Sequence, residues 1–108
     1  MYFVYILYSE SSATFYKGQT NEISQRLNRH NSGLNDSTKH GVPWKLLWTT
    51  QKKNRAEAMD LEKKLKNLSI DRTLQFMMKY EEGFYSEESK LFASKLLTNL
   101  TCKFRQNP

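Results

Sequence analysis

The sequence predicts an α/β domain of the α+β kind: a small, mostly antiparallel three-stranded sheet flanked by helices, with a helical C-terminal extension. Three observations predict it. Two runs, YFVYILY over residues 2–8 and WKLLWTT over residues 44–50, are aromatic, aliphatic and β-branched and contain no breaker, as buried strands do. A short run over residues 15–18 follows the first after the polar SESSAT, so the two read as a hairpin. Ala58, Leu61, Leu65 and Leu68 then recur at helical spacing.

The elements follow in order. The first strand begins at Tyr2. Gly18 closes the second strand as a turn residue, at a point needing positive φ or a close backbone approach. Asn21 is the expected N-cap of the next helix, with Glu22 in its first turn. Ile23 and Leu27 form its apolar stripe, and Asn31 and Gly33 end it. Arg26 and His30 stand four apart and share a face of that helix. The loop LNDSTKHGV carries Lys39 and His40 to the third strand. Asn54, with Glu57 three residues on, opens a longer helix in a near capping box. Glu62 borders its apolar stripe. A helix over residues 71–80 stops at Gly83, and another from Ser86 runs toward Lys103. Leu91, Phe92, Leu96, Leu97 and Leu100 give that last helix an apolar surface that needs cover. Residues 1–80 thus form the main unit, and residues 81–108 an extension packed on the same domain.

With 108 residues, 38% hydrophobic and 13% aromatic, the chain suits one folded domain. No apolar run approaches the roughly 20 residues of a membrane span, so no membrane partner is expected. The opening MYFVYILYSE reads as a strand and not as a signal peptide. One cysteine, Cys102, allows no internal disulfide, and a reducing cytoplasm is the expected location. Net charge is +6, which favours an anionic partner, nucleic acid first.

At this point the chain resembles the GIY-YIG nuclease family, and among its members the small stand-alone bacterial type similar to the excinuclease C nuclease domain. Phe3-Val4-Tyr5 stands for the first tripeptide and Tyr16-Lys17-Gly18 for the second. Arg26 follows ten residues after Tyr16, His30 one helical turn later, and Glu62 lies in AEAMDLEKKLK. The resemblance covers about residues 2–68. Phe3 replaces a glycine, Gln19 stands where some relatives have lysine, and Leu74 where some have asparagine.

The resemblance implies a metal-dependent endonuclease acting on DNA, in repair or on branched or damaged forms. It assigns Tyr5 as the base that activates water and Tyr16 as the residue that holds water or phosphate. Arg26 would bear the charge at phosphorus and bring the Tyr5 phenol from about 10 toward about 7. His30 would relay a proton, and Glu62 would bind one divalent cation, Mg²⁺ or Mn²⁺. Asp60 lies about 200° around the helix from Glu62, which argues for one metal. Lys17, Gln19, Arg29, Lys39 and His40 are candidate nucleic-acid contacts. Two alternatives stay open: a nucleic-acid-binding module of the same fold with weak or lost cleavage, and a protein-interaction module using the C-terminal helices.

Overall fold

A computed structural model describes residues 1–106, with side chains through Leu100; the Cys102 side chain and the last two residues of the expected extension lie outside what it describes. Strands β1 (Tyr2–Ser9), β2 (Thr14–Thr20) and β3 (Trp44–Lys52) form one sheet, with α1 (Ile23–Asn31) between β2 and β3. Helices α2 (Arg55–Lys66), α3 (Ile70–Lys79) and α4 (Glu87–Gln106) follow. The sheet order is β2-β1-β3, and both pairings are antiparallel. The mixed fold with a three-stranded sheet and a C-terminal helix is the one the sequence predicts.

Alternation along β1 divides the core in two. Val4, Ile6 and Tyr8 face α2, α3 and α4, where they meet Ala58, Leu65, Leu74, Met77 and Ala93. Tyr5 and Leu7 face α1, with Trp44 and Leu46 beside them and Tyr16, Ile23 and Leu27 packed around. A bulge on β3 lets this work. Ile6 pairs with Trp48 but Leu7 with Leu46, so Leu47 is the extra residue, and both Leu47 and Trp48 join the larger core.

Local chemistry sets the helix ends. Asn54 Oδ1 accepts from Glu57 N–H at 2.9 Å, and Glu57 reaches back to Lys53 N–H at 3.3 Å, which completes the expected capping arrangement one residue early. Helix α1 differs from expectation. Its N-cap is Glu22, which makes no side-chain cap, and not Asn21. Strand β2 runs through Thr20, leaving two residues to turn, and Thr20 Oγ1 takes the Glu22 N–H at 3.1 Å. Gly33 does end α1, with φ +76°, in the left-handed region where a Cβ is costly.

The extension covers both a face and an edge. Phe92, Leu96, Leu97 and Leu100 pack on the larger core. Leu91 does not; it is 57% exposed, because Ala93 takes the inward position on that turn. Tyr85 N–H donates to the Leu47 carbonyl at 2.9 Å, and Ser89 Oγ to the Leu46 carbonyl at 3.3 Å. The start of the extension thereby satisfies outward carbonyls of edge strand β3, a protection such edges need. No helix among the described residues is long and apolar enough to cross a membrane.

Candidate active site

Tyr5 stands on the central strand opposite Gly18. Gly18 is not a turn residue: β2 continues through Gln19 to Thr20, paired with Val4 and Phe3. What the position needs is missing bulk. A Cβ there would lie 2.5 Å from Tyr5 Oη, 2.7 Å from Tyr5 Cζ and 3.0 Å from Tyr16 Cε1. The phenol of Tyr5 lies across the bare backbone of Gly18, a close approach only glycine allows.

Helix α1 brings His30 to that phenol. Tyr5 Oη and His30 Nε2 are hydrogen-bonded at 3.0 Å. The other ring nitrogen, Nδ1, is hydrogen-bonded to Thr38 Oγ1 at 2.9 Å. Tyr16 packs on the imidazole, with ring centroids 4.6 Å apart, and lies 6.2 Å from the Tyr5 ring. Tyr5, His30 and Thr38 are 2%, 0% and 1% exposed, so bulk water has little access to this row of polar groups and every bond in it counts.

Burial sets the charge states. It pushes the Tyr5 phenol well above a free phenol, Tyr16 adds to the rise, and Arg26 opposes it. The guanidinium therefore acts in the expected direction but does not bring the phenol toward neutral pH, because desolvation of the anion outweighs it. Burial lowers His30, and the cations Arg26 and Arg29 lower it further. Near pH 7 a neutral imidazole faces a neutral phenol.

Arg26 is half-buried and makes no ion pair among the described residues, so its guanidinium is available to an anion. Glu62 approaches from α2, with a side chain only 18% exposed and Lys66 Nζ 2.9 Å from its carboxylate. Its charge reaches Tyr5, raising the phenol. Among the described residues no three His, Cys, Asp or Glu side chains group around a metal position. Glu62 thus belongs to no such group. Such a donor fits a hard divalent cation that draws its other ligands from water and substrate phosphate, provided Lys66 releases the carboxylate.

The other predicted residues stand outside the buried row, although Arg29 is close enough to His30 to lower it. Lys17 and Gln19 pair with Ile6 and Val4, on the sheet face opposite Tyr5. Burial lowers the Lys17 ammonium. Arg29 is exposed on α1 and shares a small cleft with Arg26, Asn21 and Gln25. Lys39 and His40 are exposed on a short 3₁₀ turn, where Lys39 pairs with Asp36 at 3.4 Å. Leu74 is fully buried as plain core. Thr38 was not legible as a site member. A threonine in a polar loop carries no local mark, and its partner is eight residues away.

A family model described as the GIY-YIG catalytic domain matches residues 1–88. The chain belongs to the GIY-YIG family. The match runs past residue 68, where the motif resemblance ends, through α3 and into α4. A GIY-YIG domain is a nuclease-type fold, and it implies nucleic acid as the class of substrate. Among solved structures, the solution NMR structure of a UPF0213 protein from Bacillus halodurans is 30% identical, with a TM-score of 0.47 over 72% of this chain and 84% of that one. No curated protein matches the chain.

Proposed function

We propose that this GIY-YIG domain is a metal-dependent endonuclease that hydrolyses DNA phosphodiester bonds in the cytoplasm, acting in repair on branched or damaged DNA. The observation that carries the reading is the buried Tyr5–His30 hydrogen bond, 3.0 Å long, held over Gly18 and within electrostatic reach of Arg26, which forms no ion pair among the described residues.

Cutting a phosphodiester takes a deprotonated water, charge stabilisation at phosphorus and help for the leaving oxygen. Tyr5 takes a proton from the attacking water as its own hydroxyl proton passes to His30. Free phenol and imidazole pKa values, about 10 and about 6.5, differ by about 3.5, or about 5 kcal/mol. Burial widens that gap from both sides. A separate phenolate–imidazolium pair is therefore not a resting state, and the protons move as the water oxygen bonds to phosphorus. The bond from phosphorus to the leaving oxygen breaks, that oxygen takes up a proton from solvent, and His30 returns its extra proton through Tyr5 to solvent. Arg26 offers a planar fork of donors to the phosphate as charge grows there. Tyr16, half-buried against His30, positions the water or the phosphate. Glu62 would hold one divalent cation, Mg²⁺ or Mn²⁺, which when bound stabilises negative charge on the leaving oxygen. Arg29, Lys39 and His40 would meet the phosphate backbone, a role their exposure supports.

Nicking of supercoiled and branched DNA in Mg²⁺ or Mn²⁺ tests the reading. Tyr5→Phe keeps the ring and removes the proton carrier, so cleavage should fall by about 10²–10⁴-fold with DNA affinity retained. Cleavage by the variant within a few-fold of wild type would make Tyr5 plain core. The Glu62–Lys66 ion pair favours a second reading, a DNA-binding module that no longer cuts. Wild-type binding without metal-dependent nicking would select it.

A further inference from the structure

We infer that Thr38 is a positioning residue of the site, one that holds His30 as the Nδ1–H tautomer and so leaves Nε2 free to accept the Tyr5 proton. The inference rests on the nuclease reading for its purpose and on the local hydrogen bonds for its content.

An imidazole with both nitrogens in hydrogen bonds has two neutral forms, and its partners choose between them. Here the partners form one row: Tyr5 Oη, His30 Nε2, His30 Nδ1, Thr38 Oγ1 and the Asn35 carbonyl. The first two hydrogen bonds span 3.0 Å and 2.9 Å; the last is a longer contact of 3.5 Å to a carbonyl that also accepts from the Thr38 and Lys39 N–H groups at 3.1 Å and 2.9 Å. The row ends on a backbone carbonyl, which can only accept. If Thr38 Oγ1 donates to Asn35 O, its oxygen accepts from His30 Nδ1–H, and His30 Nε2 accepts from the Tyr5 hydroxyl. Each donor then has an acceptor, and the proton polarity runs away from Tyr5. In the reverse order Nε2–H points at Tyr5 and cannot take its proton.

The backbone around Thr38 is built to keep this geometry. Thr38 N–H donates to Asn35 O at 3.1 Å, closing a turn whose hydroxyl bonds back three residues, as threonine often does. The Thr38 carbonyl accepts from Trp44 Nε1 at 2.8 Å, and the Trp44 ring lies against Gly41, where a Cβ would come within 2.2 Å of it. The loop after α1 is therefore tied to the start of β3, with Thr38 at its buried point. Valine is nearly the same shape as threonine and would keep the packing while removing the hydroxyl. Serine would keep the hydroxyl.

Ring ¹⁵N spectra of the intact labelled chain report which nitrogen of His30 carries the proton, and nicking in Mg²⁺ reports the rate. Wild type should show His30 protonated at Nδ1. Thr38→Val should shift the ring toward the other tautomer and slow cleavage by about 10–100-fold. Thr38→Ser should restore both within a few-fold. A merely structural role would lower the melting temperature of Thr38→Val without moving the tautomer. Protonation at Nε2 in wild type, or an unchanged tautomer in a folded Thr38→Val, overturns the inference. Should Thr38→Val fail to fold, the wild-type and Thr38→Ser spectra decide. Should wild type cut no DNA, the nuclease reading fails, and the tautomers alone judge Thr38.

Discussion

Gly18→Ala tests the geometry of the site with the smallest possible change. The new methyl carbon would start 2.5 Å from Tyr5 Oη and 2.7 Å from Tyr5 Cζ, whereas non-bonded carbons rest at about 3.5–4.0 Å. The Tyr5 ring must therefore move by about 1 Å or β2 must bend away. Neither is free: the ring is 2% exposed and its hydroxyl is bonded to His30. Overpacking of this kind costs about 1–3 kcal/mol, which lowers Tm by about 4–8 °C for each kcal/mol. A displacement of about 1 Å at reacting groups costs about 10²-fold in rate, or about 2.7 kcal/mol of barrier. Nicking of supercoiled DNA in Mn²⁺, with Tm and DNA affinity measured alongside, should show slow cleavage by a folded protein that still binds. The cycle with Tyr5→Phe sharpens the test. Both changes act through one hydroxyl, so Gly18→Ala should cost little further activity once that hydroxyl is gone. Full activity of Gly18→Ala, or strict additivity in the cycle, would refute the claim that the bare backbone exists to seat the phenol.

Glu62→Gln should abolish metal-dependent nicking while DNA affinity stays within a few-fold, since shape is kept and only the anionic ligand is lost; nicking at the wild-type rate in Mg²⁺ would remove Glu62 from the site. The cleavage rate should rise with pH through a value below the ordinary histidine value of about 6.5 and then stay level, because His30 accepts only when neutral and its folded pKa is lowered. Stability has the same sign: below about 6.5 the unfolded chain binds a proton at His30 before the folded chain does, so Tm should fall as pH drops through that range, an effect that His30→Gln should diminish. Truncation after Lys79 removes Phe92, Leu96, Leu97 and Leu100 from the larger core, each contributing up to about 1.5–3 kcal/mol. Against a total stability of about 5–15 kcal/mol, the shortened chain should have no cooperative melting transition, and a wild-type melting curve would show the extension to be detached.

The aromatic run of β1, the Asn54–Glu57 cap and the Ala58–Leu61–Leu65–Leu68 stripe are local signals, because strand and helix periods are properties of neighbouring residues. The same holds for Arg26 and His30 sharing a face of α1. Alternation along β2 also held information: Tyr16 and Gly18 point one way, Lys17 and Gln19 the other, so placing all four at one site ran against the period of a strand.

Fold class and element order were legible in the chain, since spacing and composition act over a few residues, whereas Tyr5, Tyr16, Arg26, His30 and Glu62 came together as a candidate set only through the resemblance to the GIY-YIG family. Only the tertiary structure decided what those residues experience. Gly18 matters because a phenol from another strand crosses it, and Thr38 because a ring from α1 reaches it. Tyr5 and His30 are held toward their neutral forms because burial strips away most of their solvation, and the free energy of a charge depends on all the atoms around it. Those relations join residues far apart in the chain, and no local pattern carries them.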